Sequence, residues 1–396
     1  AAADARGLFG RRAWFDHGPP DRLLPVGRSV DLLVLTDLEA ADLTPGLAAE
    51  IKRVLHTWYG MAVIGNAAGR LDVAALKQWA GRIARQIKPF PGQAGLVCVT
   101  ADALRGSDDW PMWWHGPDNN NTSMDTAFTM PQTMQWTGKP HFPPSHTDLP
   151  VIAQGRLYIL WNGGKRDGLE RFAKDIDKGP LLEARTVGSG ARLWVQRLAK
   201  AVWDQSPRSV LVADGDRVLA ADGNAIIEFD GATGEELHRQ TVDTGEIKWL
   251  AVDDGRIFVL GGPVKPGIGR SKEAILQLRI AGEELMAFDR TTWDVLWHNH
   301  RTTGQDAYDP RSPAVAGDGL FICQEGSVAE RIDVATGEVV WSVDAGFKRP
   351  TTVEATKGGF YWDYDSRKPV SGFALPGIYL ITAVEMPTPV ILAQED

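Results

Sequence analysis

The pattern of apolar and polar positions changes character once along the chain, near Thr100. Before that point, short apolar runs alternate with segments of helical period. Leu32-Leu-Val-Leu35, introduced by Ser29-Val-Asp31, reads as a buried parallel strand. Leu47, Ile51, Val54 and Leu55 recur at helical spacing, with Thr44 as N-cap and Pro45 in the first turn, and Tyr59-Gly60 is expected to end that helix. Met61–Ile64 is the next strand. Val73–Arg85 follows as a second helix with Leu76, Trp79, Ala80 and Ile83 on one face, and Gly95–Thr100 closes the series as a strand. Strands and helices in alternation predict an α/β region over residues 1–104.

From residue 105 to 396 the texture becomes short apolar alternations broken by Gly, Asp and Thr, and a unit recurs. One copy reads Gly215-Asp-Arg-Val-Leu219 and then Ala225-Ile-Ile-Glu-Phe-Asp-Gly-Ala-Thr-Gly-Glu-Glu-Leu237. Another reads Gly319-Leu-Phe-Ile-Cys323 and then Glu330-Arg-Ile-Asp-Val-Ala-Thr-Gly-Glu-Val-Val-Trp341. A third pairs Gly255–Val259 with Glu284–Trp297 across an insertion near Pro263–Ile280. The first copy opens at Gly155 and closes at Trp194, and a degenerate fifth starts at Gly358. Each unit predicts an inner strand leaving a tight bend. A hairpin follows, whose Asp and Thr side chains bond the turn backbone while Gly takes a positive φ. The closing Trp194, Trp297 and Trp341 are expected between adjacent sheets, with His238 a departure in the second copy. Four-stranded units that stack face to face make a β-propeller.

Composition narrows the functions. Over 396 residues the formal charge is −9, with no extended Lys/Arg cluster, which argues against a nucleic-acid partner. No apolar run approaches the roughly 18–20 residues of a membrane-spanning helix. Cys98 and Cys323 are too few for a disulfide framework or a metal ligand set. There is no Gly-x-Ser-x-Gly elbow and no His-Glu-x-x-His helix.

Leu24-Pro25, Ser29-Val-Asp-Leu32, Asp37, Glu50-Ile51, Arg53-Val-Leu55 and Tyr59-Gly60, in that order, resemble the back half of a class I SAM-dependent methyltransferase. The resemblance implies the C-terminal half of a Rossmann-like domain, whose glycine-rich cofactor turn and acid are expected ahead of residue 1. SAM binding is therefore expected only in a full-length protein, and His56-Thr-Trp-Tyr-Gly60 departs from the family's Pro-Gly-Gly turn. By the same resemblance Asp16 is either an adenine-facing acid or a loop residue, and Asp37 either lines the pocket mouth or ends its strand. The repeat resembles the PQQ-type unit of quinoprotein dehydrogenases and of outer-membrane assembly propellers. That implies four to five visible blades of seven to eight, in a chain cut at both ends, and a periplasmic or extracellular setting. Trp110, His115, Asp118, Asn120 and Asp125, followed by Gln135-Trp136, resemble the joining segment of bacterial, planctomycete-type fusions of a methyltransferase-like domain to such a propeller.

That joining segment is either an aromatic ligand site or, as the simpler reading, a structural closure of the ring. Residues ahead of the inner strands supply funnel candidates: His146, Asp148, Arg208, Lys248, Trp249, Arg311, Ser312 and Arg349. Their bases suggest a small anionic ligand or a protein partner, unless they pair with acids of the blade turns. His298 and His300 share one strand face, but no third metal ligand is evident and no metal is expected. PQQ is doubtful, because the vicinal cysteines by which quinoprotein dehydrogenases resemble one another are absent. The reading is a ligand-binding or scaffold propeller. A methyltransferase active only in full length, or a quinone-dependent oxidoreductase, is the alternative. No catalytic residue is assigned.

Overall fold

The computed structural model describes residues 19, 21–25, 27–120, 122–127, 150–161, 181–199, 210–263, 282–301, 308, 313–323 and 328–344, and five strands within 352–391. The chain divides into two compact units: residues 1–107 with 127–137 and 188–190, and residues 108–126 with 138–187 and 191–396.

In the first unit, strands β1 (Leu32–Leu35) and β2 (Met61–Gly65) pair in parallel and are joined through helix α1 (Pro45–Val54). Thr44 caps α1 by accepting the Leu47 amide, and Leu47, Ile51 and Val54 are buried. Helix α2 (Val73–Ala80) buries Leu76, Trp79 and Ala80, and the Trp79 indole N–H donates to the Thr44 carbonyl at 2.8 Å. Strands β3 (Gln86–Pro89) and β4 (Leu96–Thr100) complete a sheet ordered β1-β2-β4-β3.

Four expectations change here. The first helix stops at Val54, with Leu55 already extended, rather than at Tyr59-Gly60. The second stops at Ala80, residues 81–85 form turns and a bend, and β3, which the periodicity did not reveal, follows from Gln86. The closing strand β4 is antiparallel to β2 and lies inside the sheet. β1 is not buried on both faces: Leu32 is 58% and Val34 54% exposed, because β1 is an edge strand that pairs with β2 alone among the described residues.

The second unit is built of antiparallel four-stranded sheets. The first contains β5 (Val151–Ala153), β6 (Arg156–Trp161), β7 (Leu181–Thr186) and β8 (Arg192–Arg197). The second contains β9 (Leu211–Asp214), β10 (Arg217–Asp222), β11 (Ala225–Asp230) and β12 (Glu236–Thr241). The third contains β13 (Glu246–Asp253), β14 (Arg256–Gly262), β15 (Glu284–Asp289) and β16 (Val295–His300). The fourth contains β17 (Ala314–Ala316), β18 (Gly319–Cys323), β19 (Val328–Asp333) and β20 (Val339–Asp344). The Gly-x-apolar segments thus form the second strand of each sheet, with a further strand inside it; the first strands of neighbouring sheets, β5, β9 and β13, approach one another. The degenerate fifth repeat is split. β21 (Thr352–Thr356) pairs with β22 (Gly359–Asp363), while β23 (Ser371–Leu375), β24 (Ile378–Thr382) and β25 (Val390–Ile391) form a separate sheet.

The repeated turn has a physical basis. Asp230 Oδ1 accepts the amides of Ala232 and Thr233, and Asp333 Oδ1 accepts those of Ala335 and Thr336. Gly234 and Gly337 then adopt φ of 74° and 75°. Every third strand carries a bulge against the fourth, at Ala184/Arg185, Glu228/Phe229, Ala287/Phe288 and Arg331/Ile332. Alternating apolar residues from all four sheets merge into one core.

Candidate functional site

The segment from Asp109 to Asn119 lies along the innermost strands. Trp110 exchanges two 2.8 Å backbone hydrogen bonds with Ile152 of β5, and the Pro111 carbonyl accepts the Ala213 amide of β9 at 2.9 Å. The Pro117 carbonyl accepts the Val315 amide of β17 at 2.7 Å, and the Asn119 side chain donates to Pro313 O at 2.9 Å. Innermost strands present one unpaired edge, and a buried unpaired amide costs as much as a lost hydrogen bond. This segment satisfies several of those groups in three different blades.

Within it, His115 Nε2 lies 2.7 Å from Asp108 Oδ2, and its ring meets Trp110 edge-on with centroids 5.0 Å apart. Asp118 turns the chain by accepting the Asn120 amide, and the Asp125 amide donates to Ser123. Burial, Asp254 and Asp118 together push the Asp253 carboxyl at the end of β13 above its usual range. Trp110, with His115 against it, and Asp118 are therefore brought near the turns between first and second strands, whereas the amide hydrogen bonds of Asn120 and Asp125 are local to the segment.

The opposite end holds Lys248 and Trp249. Both lie within β13 rather than ahead of it, and Lys248 is the residue at a β-bulge between Ile247 and Trp249. Both are buried; the lysine Nζ is 3.4 Å from Pro263 O, and Trp249 belongs to the main core. Arg301 spans the third and fourth blades nearby, pairing with Glu330 at 2.8 Å and donating to the Tyr308 hydroxyl at 3.0 Å. Burial, with Glu330 adding and Arg301 opposing, pushes that hydroxyl up to about 12. The neutral form is thus favoured in the folded state. The stabilisation is complete below the ordinary tyrosine value near 10 and is lost as the pH rises towards 12. Between those limits wild type is expected to lose about 2–3 kcal/mol more than Tyr308→Phe, measured by urea unfolding at each pH.

Glu284 was not anticipated beside the histidine pair. Its two oxygens lie 2.6 Å from His298 Nε2 and from His300 Nδ1. Among the described residues no group of three or more His, Cys, Asp or Glu is arranged to hold a metal ion. In the first unit, Asp37 follows β1 and bridges Asn66, whose buried amide donates to Leu38 O at 3.0 Å. Asp16, His146, Asp148, Arg208, Arg311, Ser312 and Arg349 lie outside the described residues.

The seams between blades are the best-defined chemistry. On β8, the Trp194 indole N–H donates to Gly231 O at 3.0 Å and Gln196 to Gly234 O at 2.6 Å. On β16, Trp297 donates to Val334 O at 2.9 Å and Asn299 to Gly337 O at 2.7 Å. Each blade thus grips the turn of the next. The seam between the second and third blades is different: His238 stands in place of Trp, and Trp293 in place of the turn Gly. The two rings stack at 4.2 Å with an interplanar angle of 27°. Arg290, one residue into the same turn, reaches back to Asp214 at 2.9 Å and Glu228 at 2.6 Å. Sequence reading noticed His238 but missed Arg290 and Trp293; the signal was the broken glycine in Asp289-Arg-Thr-Thr-Trp293.

Stacked four-stranded sheets with gripped hairpin turns define the class of repeat β-propellers. Residues 181–371 match the family described as outer membrane protein assembly factor BamB, and they form a PQQ-like, BamB-type propeller domain. Among solved structures, the chain is similar to BamB from Moraxella catarrhalis, at 16% identity and a TM-score of 0.30, over 54% of this chain and 65% of that one. It is also similar to a quinohemoprotein alcohol dehydrogenase from Pseudomonas putida HK5, at 12% identity and a TM-score of 0.45, over 69% of this chain and 44% of that one. A computationally designed protein, Ika8, is similar at 12% identity and a TM-score of 0.35, over 59% of this chain and 67% of that one. No curated protein sequence matches the chain. No helix among the described residues is long and apolar enough to cross a membrane.

Proposed function

We propose that the propeller is a binding scaffold that docks a protein partner on its outer strands, in the periplasm or outside the cell. The observation that carries this reading is the chemistry of those strands. β8, β12, β16 and β20 each pair on one side only among the described residues, and all leave apolar side chains exposed. Leu193, Leu237, Leu296 and Val340 lie on successive blades, and Val340 is 49% exposed. An unpaired strand edge with exposed apolar side chains is a template for an added strand, with backbone hydrogen bonds supplying affinity and side chains supplying specificity. The seams support the role by holding successive edges in fixed relation. A photo-crosslinking amino acid at Val340 or Leu296 is expected to trap a discrete partner in the native host. The same probe at the exposed turn residue Thr233 is expected to trap none, and equal adducts at all three positions would sink the reading. A small anionic ligand at the other end of the blades remains part of the proposal through the bases named above.

A second reading rests on the first unit. The parallel β1–α1–β2 arrangement brings Asp37 and Asn66 to the carboxyl ends of both strands, which is where open α/β sheets bind ligands. This supports a methyltransferase-like half that uses SAM in a full-length protein, and micromolar SAM binding in calorimetry would be its mark.

A further inference from the structure

A cavity of about 230 Å³ opens where the joining segment meets the innermost strands. Met112, Pro117, Val212 and Val252 give its walls apolar patches, and Asp109 and Asp214 give them two carboxylates. Asp214 is already paired with Arg290 at 2.9 Å. Asp109 accepts the Gln154 amide on Oδ1 at 3.0 Å, and among the described residues no cationic side chain pairs with it. Further carboxylates stand close by: Asp253 follows the wall residue Val252, and Asp118 lies near enough to perturb Asp253. Burial, with Asp108 adding and the Gln154 amide opposing, raises the Asp109 carboxyl above its usual range.

The occupant follows from these groups. A cavity smaller than the roughly 300–1,000 Å³ of drug-sized sites takes a fragment of a few heavy atoms. An uncompensated carboxylate in an apolar wall selects a cation that brings its own apolar body. A divalent metal is disfavoured because, among the described residues, no three or more His, Cys, Asp or Glu side chains converge to hold one, and Asp214 is already paired with Arg290. A quaternary ammonium is recognised by aromatic faces, and among the described residues no aromatic side chain lines this cavity. We propose that the cavity is a binding site for a small primary alkylammonium, its head on Asp109 and its methylenes against Met112, Val212 and Val252. The site is separate from the outer strands and stands or falls independently of them.

Calorimetric titration of the full chain with n-butylammonium tests this. Saturable binding at millimolar concentration or tighter is expected, with none for n-butyrate and much weaker binding for tetramethylammonium. Asp109→Asn keeps an oxygen that can accept the Gln154 amide, so the segment stays seated while the charge is lost; affinity is expected to fall about tenfold or more. Val252→Phe, which fills the cavity from a part-buried wall position, is expected to abolish binding with Asp109 intact. Binding is also expected to weaken as the pH is lowered and Asp109 takes up its proton. No binding of n-butylammonium to wild type, undiminished binding to both variants, or equal binding of n-butyrate would each overturn the proposal.

Discussion

The double variant His238→Trp/Trp293→Gly is expected to be more stable than either single variant. At the two regular seams the fourth-strand indole lies flat on the next turn's glycine. A Cβ added at Gly234 would sit 2.6 Å from the Trp194 ring, and one at Gly337 2.6 Å from the Trp297 ring. Only one indole fits at each seam. Between the second and third blades the ring comes from the turn, as Trp293, and the strand supplies the smaller His238. His238→Trp alone puts two indoles into that space, an overpacking that costs about 1–3 kcal/mol. Trp293→Gly alone leaves a void behind a ring that is only 9% exposed, at about 3–5 kcal/mol. Relief of a φ of 65°, which is unfavourable for Trp, returns part of that. Together they rebuild the regular seam, with the Arg290 carbonyl as indole acceptor. Urea unfolding of all four proteins should give a coupling of about 1–3 kcal/mol in favour of the pair. Additive effects would show that the two rings do not substitute for one another.

Trp297→Ala is expected to be the most damaging single change in the fourth-strand positions, at about 3–5 kcal/mol in urea unfolding. The side chain is buried between the third and fourth blades, and its N–H satisfies Val334 O in the turn of the next blade. Alanine removes the ring and leaves that carbonyl without its donor. Trp297→Phe keeps most of the apolar area and loses the hydrogen bond, so its cost should be clearly smaller, with the donor's share about 1 kcal/mol. Equal losses for the two variants would place the energy in the hydrogen bond rather than in the packing. Trp341, on the edge strand of the fourth blade, is less buried and is expected to tolerate the same change better.

The repeats were legible because they are local. Asp230 and Asp333 organise turns within four residues of themselves, so spacing alone announced the hairpins, the positive-φ glycines and the closing tryptophans. The first unit was half legible. The α1 cap and the buried faces of both helices follow from period, but β3 and the direction of β4 depend on pairing between strands, which no local pattern encodes. The candidate site was the least legible part. Asp109 and Val252 are 143 positions apart and share a cavity wall only because the joining segment pairs with the inner strands of separate blades.

By itself, then, the sequence determined the repeat and its turn chemistry, which are properties of neighbouring residues. Only the tertiary structure decided which strand is innermost, how the His238 departure is compensated by Trp293, and where an unpaired carboxylate meets an apolar wall. Those depend on the contact of one blade with the next. The register that brings them together is set by the packed core and by strand pairing, not by the spacing of residues along any one unit.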